Sequence, residues 1–347
     1  MTNQQILLAS RPAGEPGTDN FRLVEAAVPE PAEGQVLVRH HFLSLDPYMR
    51  GRMNDGRSYA QPQALDVVMQ GGTAGEVVAS RHPGYAPGDR VVGMGGWQQY
   101  SLVDGTQPGL LRKVDTTHVP LSAYLGAVGM PGATAWVGLA TIIEPKAGET
   151  VVVSAASGAV GSAVGQLAKA RGCRAVGIAG GPDKCQYVVQ ELGFDACIDY
   201  KAAAPAGVTK WDPVREGLKQ HCAAGVDIYF DNVGGDILDQ VLARINRKAR
   251  IIICGAISQY NNTTPVQGPK NYLSLLVNRA RMEGIVVFDY APRYAQAIGE
   301  MAGYLSDGRM KSREDVALGG VAAFPATLTK LFTGENFGKL VLKLADA

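Results

Sequence analysis

The sequence predicts an α/β protein with two domains, an antiparallel β domain and a doubly wound domain built on a parallel sheet. The chain has 347 residues, which suits two domains of ordinary size. Up to Val119, short β-like runs are separated by Pro/Gly turns, and beyond Leu121 strand-like and helix-like runs alternate as in βαβ units. The end of the chain returns to β-like runs. We therefore assign 1–122 with 308–347 to the β domain and 123–307 to the parallel-sheet domain.

The β domain is predicted from runs of β-forming residues that lie between turn signals. They read QILLAS, FRLVEAAV, QVLVRHHFLSL, TAGEVVAS and RVVGMGGWQQYSLV, and the returning segment adds VALGG and GKLVLKL around a helix that begins near Phe324. Because side chains alternate along a strand, we expect one of His40 and His41 to face the core and the other to face solvent.

The parallel-sheet domain is predicted from strands that alternate with helices. The strands read ETVVVSA, CRAVGIA, FDACIDY, VDIYFDN, RIIICGA and GIVVF, and the helices lie near 158–171, 182–192, 211–222, 235–245, NYLSLLVNRA and 292–306. The uncharged run 121–143 is long enough to cross a bilayer, but its Gly, Pro, Ser and Thr residues leave it weakly apolar. We therefore expect a buried helix there and no membrane span.

Composition narrows the classes of partner. The 33 Lys and Arg residues nearly balance the 32 Asp and Glu residues, so no excess positive charge would hold nucleic acid or an anionic membrane. The five cysteines are odd in number and form no CxxC pair, which suits buried, reduced thiols in a cytoplasmic protein. The N-terminus lacks the basic and apolar segments of a secretory signal. A small-molecule partner is expected.

A glycine turn after the first strand of the parallel sheet predicts a dinucleotide site. The strand 151–155 leads into AASGAVG and then a helical sequence, so backbone amides and a helix N-terminus can face a pyrophosphate. Gly158 permits close approach of the phosphate, and Gly161 lets the helix pack against the strand. Ala156 stands where the GxGxxG pattern has its first glycine, so the motif alone is a weak signal.

The end of the second strand favours NADP(H) over NAD(H). An NAD site has a carboxylate there for the ribose hydroxyls, whereas this strand ends in Ala179-Gly180-Gly181. Asp183 falls in the first helical turn, where an acid is expected for the helix dipole alone. Lys184 follows it and suits a phosphate near a helix N-terminus.

Metal ligands are scarce, so hydrogen-bond donors are the candidates for catalysis. No histidine has a cysteine or a paired acid at zinc-ligand spacing, and we expect no metal. Two tyrosines lie where a substrate oxygen could be met: Tyr48 in the loop LSLDPYMRGRM, and Tyr260 just beyond the carboxyl end of strand RIIIC. We name both as catalytic candidates in a cleft between the domains.

Several motifs together resemble the medium-chain dehydrogenase/reductase superfamily, specifically its zinc-independent leukotriene B/prostaglandin reductase branch, which includes curcumin and plant double-bond reductases. They span essentially the whole chain and read LSLDPYMRGRM, GWQQY, GMPGATAWVGL, AASGAVG, DNVGG, CGAISQYN and GENFGKLVLK. The resemblance implies a GroES-like domain, a Rossmann domain, a homodimer, and hydride transfer from NADPH to the β-carbon of an α,β-unsaturated ketone or aldehyde. Zinc-dependent relatives have a cysteine within the stretch LSLDPYMR and a His-Glu pair at Gly71 and Gly72, so both ligand positions are lost.

The resemblance also implies a role for particular residues. The pyrophosphate would lie on the turn, the 2′-phosphate on a lysine and a tyrosine, and the nicotinamide half against the carboxyl ends of the later strands, with Tyr260 near the ribose and the substrate oxygen. The residues concerned are Gly158, Ala159, Val160 and Gly161; Lys184 and Tyr200; Asn232 toward the ribose; and Cys254, Gly255, Tyr260, Ile285, Val286, Val287 and Asn336. Cys254 is expected to be a small wall of the site rather than a nucleophile.

Three other functions stay open. A quinone oxidoreductase belongs to the sister zinc-free branch, although DPYMR and GENFGK argue against it. A non-catalytic NADPH-binding protein could use the same scaffold for interaction, and a zinc alcohol dehydrogenase shares the outline. The substrate is likewise open between curcumin-like diarylheptanoids, prostaglandin-like 15-keto lipids and reactive alkenals.

Overall fold

The computed structural model describes residues 2–344 and divides the chain into two compact units. The first comprises the residues up to Gly126 together with those from Glu314 onward, and the second runs from Ala127 to Arg313. The first unit contains a two-stranded and a seven-stranded sheet, the second contains a six-stranded sheet, and each unit has its own buried core. Within the described residues no helix is both long and apolar enough to cross a membrane.

The first unit begins with a β-hairpin-like pair of strands and continues into a larger antiparallel sheet. Its elements up to residue 113 are β1 (Thr2–Leu8), β2 (Phe21–Ala27), β3 (Gln35–Ser44), α1 (Tyr48–Arg52), β4 (Thr73–Ser80), β5 (Arg90–Gly93), β6 (Tyr100–Asp104) and β7 (Leu111–Lys113). The run predicted as one strand from residue 90 to 103 forms two, β5 and β6, which pair with β4 and β3 respectively. The break falls at Gly95 and Gly96, where a positive φ of 79° at Gly96 turns the chain.

Both histidines of β3 are buried, so the expectation that one faces solvent is wrong. His40 and His41 are each 2% exposed. The register of β3 against β4 shifts between His40 and Phe42, and such a bulge breaks the alternation on which the expectation rested. The ring nitrogen Nε2 of His40 lies 2.9 Å from the Ser101 hydroxyl, and burial lowers the pKa of His40 to about 3. His40 is therefore a neutral core residue.

The second unit is a parallel sheet with helices between its strands. Its elements are α2 (Met130–Val137), β8 (Thr150–Ser154), α3 (Ala159–Ala170), β9 (Arg174–Ala179), α4 (Pro182–Gln190), β10 (Ala196–Asp199), α5 (Pro213–His221), β11 (Val226–Asp231), α6 (Gly235–Leu242), β12 (Ile245–Ile253), α7 (Leu273–Asn278), β13 (Arg281–Gly284) and α8 (Ala291–Ser306). The strand order is β10-β9-β8-β11-β12-β13, with every neighbouring pair parallel. In chain order this is 3-2-1-4-5-6, the order of the dinucleotide-binding doubly wound sheet.

Two segments of the second unit differ from expectation. The strand predicted at GIVVF is wrong in position, because pairing with β12 covers Arg281–Gly284 and a 3₁₀ turn begins at Val287. The apolar residues Ile285 and Val287 are buried just beyond the strand, which misled a prediction based on apolar runs. The run 121–143, which begins in the first unit, is helical and largely buried as predicted, but it consists of a 3₁₀ helix (Leu121–Leu125), α2 and a π-helical segment (Gly138–Ile143).

The chain then returns to the first unit through β14 (Glu314–Ala317), α9 (Phe324–Thr333) and β15 (Lys339–Lys343). β15 pairs antiparallel with β3 and completes a seven-stranded sheet. An antiparallel β unit and a doubly wound parallel unit are thus both present, which confirms the predicted fold class.

Candidate functional site

The turn predicted to bind the pyrophosphate connects β8 to α3. β8 is buried throughout, Ala155 takes a left-handed conformation with φ of 49°, and Gly158 is the N-cap of α3. A Cβ on Gly161 would lie 2.3 Å from the Ala155 carbonyl oxygen, so only glycine allows the helix to approach the turn this closely. The helix N-terminus, beginning at Ala159 and Val160, therefore caps a tight turn that suits an anionic phosphate.

The alanine at the first glycine position is accommodated by a glycine elsewhere in the sheet. Ala156 is fully buried, and a Cβ on Gly177 of β9 would stand 2.8 Å from the Ala156 Cβ. The Ala156 side chain therefore occupies space that a glycine on the neighbouring strand leaves open. The sequence departs from GxGxxG, but the tight turn is kept.

The 2′ end of the predicted cofactor site lies where β9 and β10 end. Gly181, with φ of 95°, is the N-cap of α4, and Lys184 lies in the first turn of that helix. The Tyr200 ring covers Gly180, where a Cβ would come within 2.9 Å of the ring atoms. Asp199 accepts hydrogen bonds from the amides of Gly181 at 2.7 Å and Lys201 at 2.9 Å. These bonds fix the connection between β9 and α4 and the turn that follows β10.

A buried carboxylate links the strands at the centre of this edge. Asp231 Oδ1 accepts hydrogen bonds from Ser154 Oγ at 3.0 Å and from the amides of Val233 and Gly234, each at 2.9 Å. Burial raises the pKa of Asp231 above its ordinary value. Asn232 donates from Nδ2 to the Ser154 carbonyl oxygen at 2.8 Å, so its side chain is oriented by the end of β8. Sequence reasoning missed Ser154 and Asp231, although an acid at the end of a buried strand is a signal for such a network.

The residues predicted beside the nicotinamide follow β12. The amides of Cys254 and Gly255 both donate to the Asp231 carbonyl oxygen, at 2.8 and 3.2 Å. The Tyr260 hydroxyl oxygen accepts the Ala256 amide at 3.2 Å and would lie 3.1 Å from a Cβ on Gly255. The Tyr260 side chain therefore lies back over the residues that follow the carboxyl end of β12.

The other residues predicted beside the nicotinamide are Cys254 and the run from Ile285 to Val287. Burial raises the pKa of Cys254 to about 12, so the thiol is protonated at neutral pH and is a poor nucleophile, in line with the expected wall. The Ile285 amide donates to the Ile253 carbonyl oxygen at 3.1 Å, and Ile285 and Val287 are buried on either side of the partly buried Val286.

All of these residues belong to the second unit, where they share the carboxyl ends of parallel strands. Tyr48 and Asn336 belong to the first unit. Tyr48 is the first residue of α1 and is partly buried, with the Arg52 guanidinium 5.8 Å from its ring centre. Burial raises the pKa of Tyr48 far above its ordinary value, so its hydroxyl is a protonated donor. Asn336 donates to the Gly338 carbonyl oxygen at 3.0 Å, as a turn residue does.

The side chains that could bind a metal ion are scattered in the described part of the chain. Among residues 2–344 no three His, Cys, Asp or Glu side chains are grouped so that they could hold a metal ion. At Gly71, where zinc-dependent relatives have a ligand, a Cβ would lie 2.9 Å from both Met49 Cε and Trp97 Nε1. A ligand side chain at that position would need the surrounding core to move.

Known proteins match the chain over its whole length. The family described as the N-terminal domain of oxidoreductase matches residues 4–111, and the one described as zinc-binding dehydrogenase matches residues 159–303. The NADPH-dependent curcumin reductase of Escherichia coli is 44% identical over 99% of this chain and 97% of its own. The chain belongs to the medium-chain dehydrogenase/reductase family. This confirms the predicted family and branch and the predicted class of oxidoreductase.

Other members of the family agree in sequence and in structure. The NADP(+)-dependent 2-alkenal reductase of Nicotiana tabacum is 39% identical over 99% of this chain and 98% of its own. The crystal structure of CurA from Vibrio vulnificus in complex with NADPH superposes with a TM-score of 0.90, at 44% identity over 99% of this chain and 100% of that one. The predicted GroES-like and Rossmann domains of the medium-chain fold are thereby confirmed.

Proposed function

We propose that the protein reduces the carbon–carbon double bond of α,β-unsaturated ketones and aldehydes with hydride from NADPH. Family members confirm the predicted cofactor, NADP(H), and the predicted reaction class, reduction of a carbon–carbon double bond. The observation that carries the proposal for this chain is the position of Tyr260. Its hydroxyl lies over Gly255 at the carboxyl end of β12, where a doubly wound sheet binds its ligand.

Residues of the second unit would hold the cofactor along the edge of the sheet. The turn Gly158–Gly161 and the N-terminus of α3 would bind the pyrophosphate, and Lys184 with Tyr200 would bind the 2′-phosphate. Asn232 would face the ribose, with Cys254 and Ile285 to Val287 bordering the nicotinamide. Asn336, in the first unit, is the remaining proposed nicotinamide residue. Bound NADPH supplies the hydride.

The chain's own contribution to the chemistry is to bind and stabilise a developing enolate. As hydride reaches the β-carbon of the substrate, negative charge moves to the carbonyl oxygen, and Tyr260 donates a hydrogen bond to that oxygen. A phenol is both a donor and an acceptor, and in this structure the Tyr260 hydroxyl accepts the Ala256 amide. Tyr48 is the second proposed donor, and a proton from water completes the α-carbon.

The reaction is proposed to need no zinc, with hydrogen-bond donors in place of a Lewis acid. The described side chains offer no three-ligand group, and Gly71 has no room for a ligand. We place the activity in the cytoplasm, because the five cysteines are free thiols in the structure.

A screen of substrates tests the proposal directly. We expect the purified protein to oxidise NADPH in the presence of enones such as 3-nonen-2-one, 2-alkenals or curcumin, and to form the saturated product in equal amount. NADH serves as the control and should be used less efficiently, because it gives Lys184 and Tyr200 no phosphate to bind. Metal analysis of the active protein should find zinc far below one ion per chain.

The same screen separates the rival functions. A quinone turned over faster than 3-nonen-2-one would favour a quinone oxidoreductase. NADPH binding with no oxidation across the panel would instead favour a non-catalytic NADPH-binding protein, and either result would contradict the proposal.

We also propose that the protein is a homodimer formed through the edge of its parallel sheet. β13 is the last strand in the sheet order, and all four of its residues are exposed. The neighbouring α7 exposes Leu273, Leu276 and Val277, with Leu276 74% exposed. An apolar surface beside a strand edge is suited to pairing with a second copy about a two-fold axis.

A charge placed in this surface should disrupt the dimer. We expect Leu276→Glu to shift the protein from dimer to monomer in size-exclusion chromatography with light scattering, because the carboxylate would be buried on association. Leu318→Glu is the matched control, since Leu318 is 73% exposed and lies in the first unit. A wild-type monomer, or equal behaviour of the two variants, would rule out this interface.

A further inference from the structure

Two cysteines of the second unit lie together beside the proposed 2′-phosphate site. Cys185 is in α4, directly after Lys184, and Cys197 is in β10, three residues before Tyr200. The Cys185 sulfur lies 4.0 Å from the Ala179 carbonyl oxygen. Cys197 pairs in register with Gly177 of β9, where an added Cβ would stand 3.3 Å from the Cys197 sulfur. Both sulfurs therefore lie over the end of β9, on the side covered by α4.

The two thiols lie on the same side of β9, and each affects the titration of the other. Their interaction lowers the pKa of Cys185 and raises that of Cys197. Burial and the Asp199 carboxylate oppose the effect on Cys185. A thiolate near a helix N-terminus is the form that reacts with oxidants. Cys185 lies in the first turns of α4, whereas Cys197 lies in the sheet, on β10.

The other three cysteines are less reactive. Cys173 and Cys222 are buried, and burial raises the pKa of Cys222 to about 11. The pKa of Cys254 is also raised, to about 12. Only part of the expectation of buried thiols is therefore correct, because Cys185, Cys197 and Cys254 are partly exposed. Partial exposure gives a small oxidant access to the pair.

We propose that Cys185 and Cys197 form a redox-modification site, which hydrogen peroxide closes to a disulfide and which weakens NADP(H) binding when closed. The Cys185 thiolate attacks one peroxide oxygen, the O–O bond breaks, and the released hydroxide takes a proton to form water. Cys197 then attacks the resulting sulfenic sulfur, loses its proton, and expels the oxygen as a second water. The two sulfurs together lose two electrons, and the peroxide gains them.

The disulfide affects cofactor binding through the residues that lie next to the two cysteines in the sequence. A disulfide holds its sulfurs at about 2.05 Å in a restricted dihedral geometry, so α4 and the end of β10 must shift toward each other. Lys184 and Tyr200 move with them, and Asp199, which holds the Gly181 amide, lies between Cys197 and Tyr200. This effect rests on the proposed role of Lys184 and Tyr200 at the 2′-phosphate, whereas formation of the disulfide does not.

Peptide mapping of the full-length protein tests the first part. We expect reduced protein treated with hydrogen peroxide, alkylated and digested to give a peptide in which Cys185 is bridged to Cys197, and dithiothreitol to remove the bridge. Cys185→Ser and Cys197→Ser should each lack it, and Cys222→Ala should retain it. Absence of the bridged peptide while other cysteines are oxidised would overturn the proposal.

Cofactor titration tests the second part. We expect oxidation to raise the Kd for NADPH by about tenfold, the size of one lost charge-assisted hydrogen bond, and dithiothreitol to reverse it. The Kd for NADH should change much less, and oxidised Cys185→Ser should bind NADPH as the reduced wild type does. A bridged protein with unchanged Kd would overturn the control of binding. Reduced protein for which Lys184→Ala leaves the Kd for NADPH unchanged would instead contradict the proposed 2′-phosphate site.

Discussion

Replacing Tyr260 by phenylalanine is expected to lower kcat for an enone by about 10²-fold, because it removes one donor to the developing oxyanion. The loss should fall mainly on kcat, since the hydrogen bond strengthens as negative charge moves to the carbonyl oxygen. Steady-state kinetics with NADPH and 3-nonen-2-one measure it. A variant that keeps the full turnover of the wild type would remove Tyr260 from the mechanism.

The control for this variant must account for a structural hydrogen bond. The Tyr260 hydroxyl also accepts the Ala256 amide, so its loss has a structural cost beside the catalytic one. Tyr85→Phe is matched, because the Tyr85 hydroxyl donates to the Leu111 carbonyl oxygen at 2.7 Å in the first unit. We expect Tyr85→Phe to lose about 1 kcal/mol of stability and little turnover. An unchanged Kd for NADPH in Tyr260→Phe would show that the cofactor loops keep their form.

The parallel sheet was predictable because its signals are local. β8 and β9 are short runs rich in Val, Ile and Ala between turn residues, and burial on both faces requires such apolar runs. The tight glycine turn between β8 and α3 was likewise predictable, because the backbone of this one connection requires its glycines. The position of β13 was not predictable, because β13 is an exposed edge strand with no apolar run of its own.

Features that depend on two distant segments were not predictable. The bulge that buries both His40 and His41 is set by the register of β3 against β4. The space for the Ala156 side chain comes from Gly177 of β9, and the helix α3 separates these two residues in the sequence. The hydrogen bond from Ser154 to Asp231 and the placing of Cys185 and Cys197 on the same side of β9 also involve different elements. Composition and spacing name the residues in such pairs, but only the fold brings the partners together.

The Lys339–Asp46 ion pair is the buried contact whose loss should destabilise the protein most. Lys339 Nζ lies 2.6 Å from Asp46 Oδ1 and donates to the Leu45 carbonyl oxygen at 2.8 Å, and the two side chains are only 3% and 7% exposed. The Ser44 hydroxyl donates to the other carboxylate oxygen. The pair joins β15 to the end of β3, two residues before Tyr48. It therefore anchors the returning segment to the loop that carries a proposed catalytic residue.

Lys339→Met is expected to lower the free energy of unfolding by about 3–5 kcal/mol, because it leaves a buried carboxylate without its counter-charge. Urea unfolding followed by circular dichroism and tryptophan fluorescence measures the change. Adding Asp46→Asn to Lys339→Met should recover part of the loss, since the second substitution removes the uncompensated charge. Arg22→Met breaks the exposed Arg22–Asp66 pair, whose side chains are 52% and 63% exposed, and should cost less than about 1 kcal/mol. Equal losses for Lys339→Met and Arg22→Met would show that burial adds nothing to the first pair. Activity measured at a temperature where Lys339→Met is still folded would then show whether Tyr48 needs this anchor.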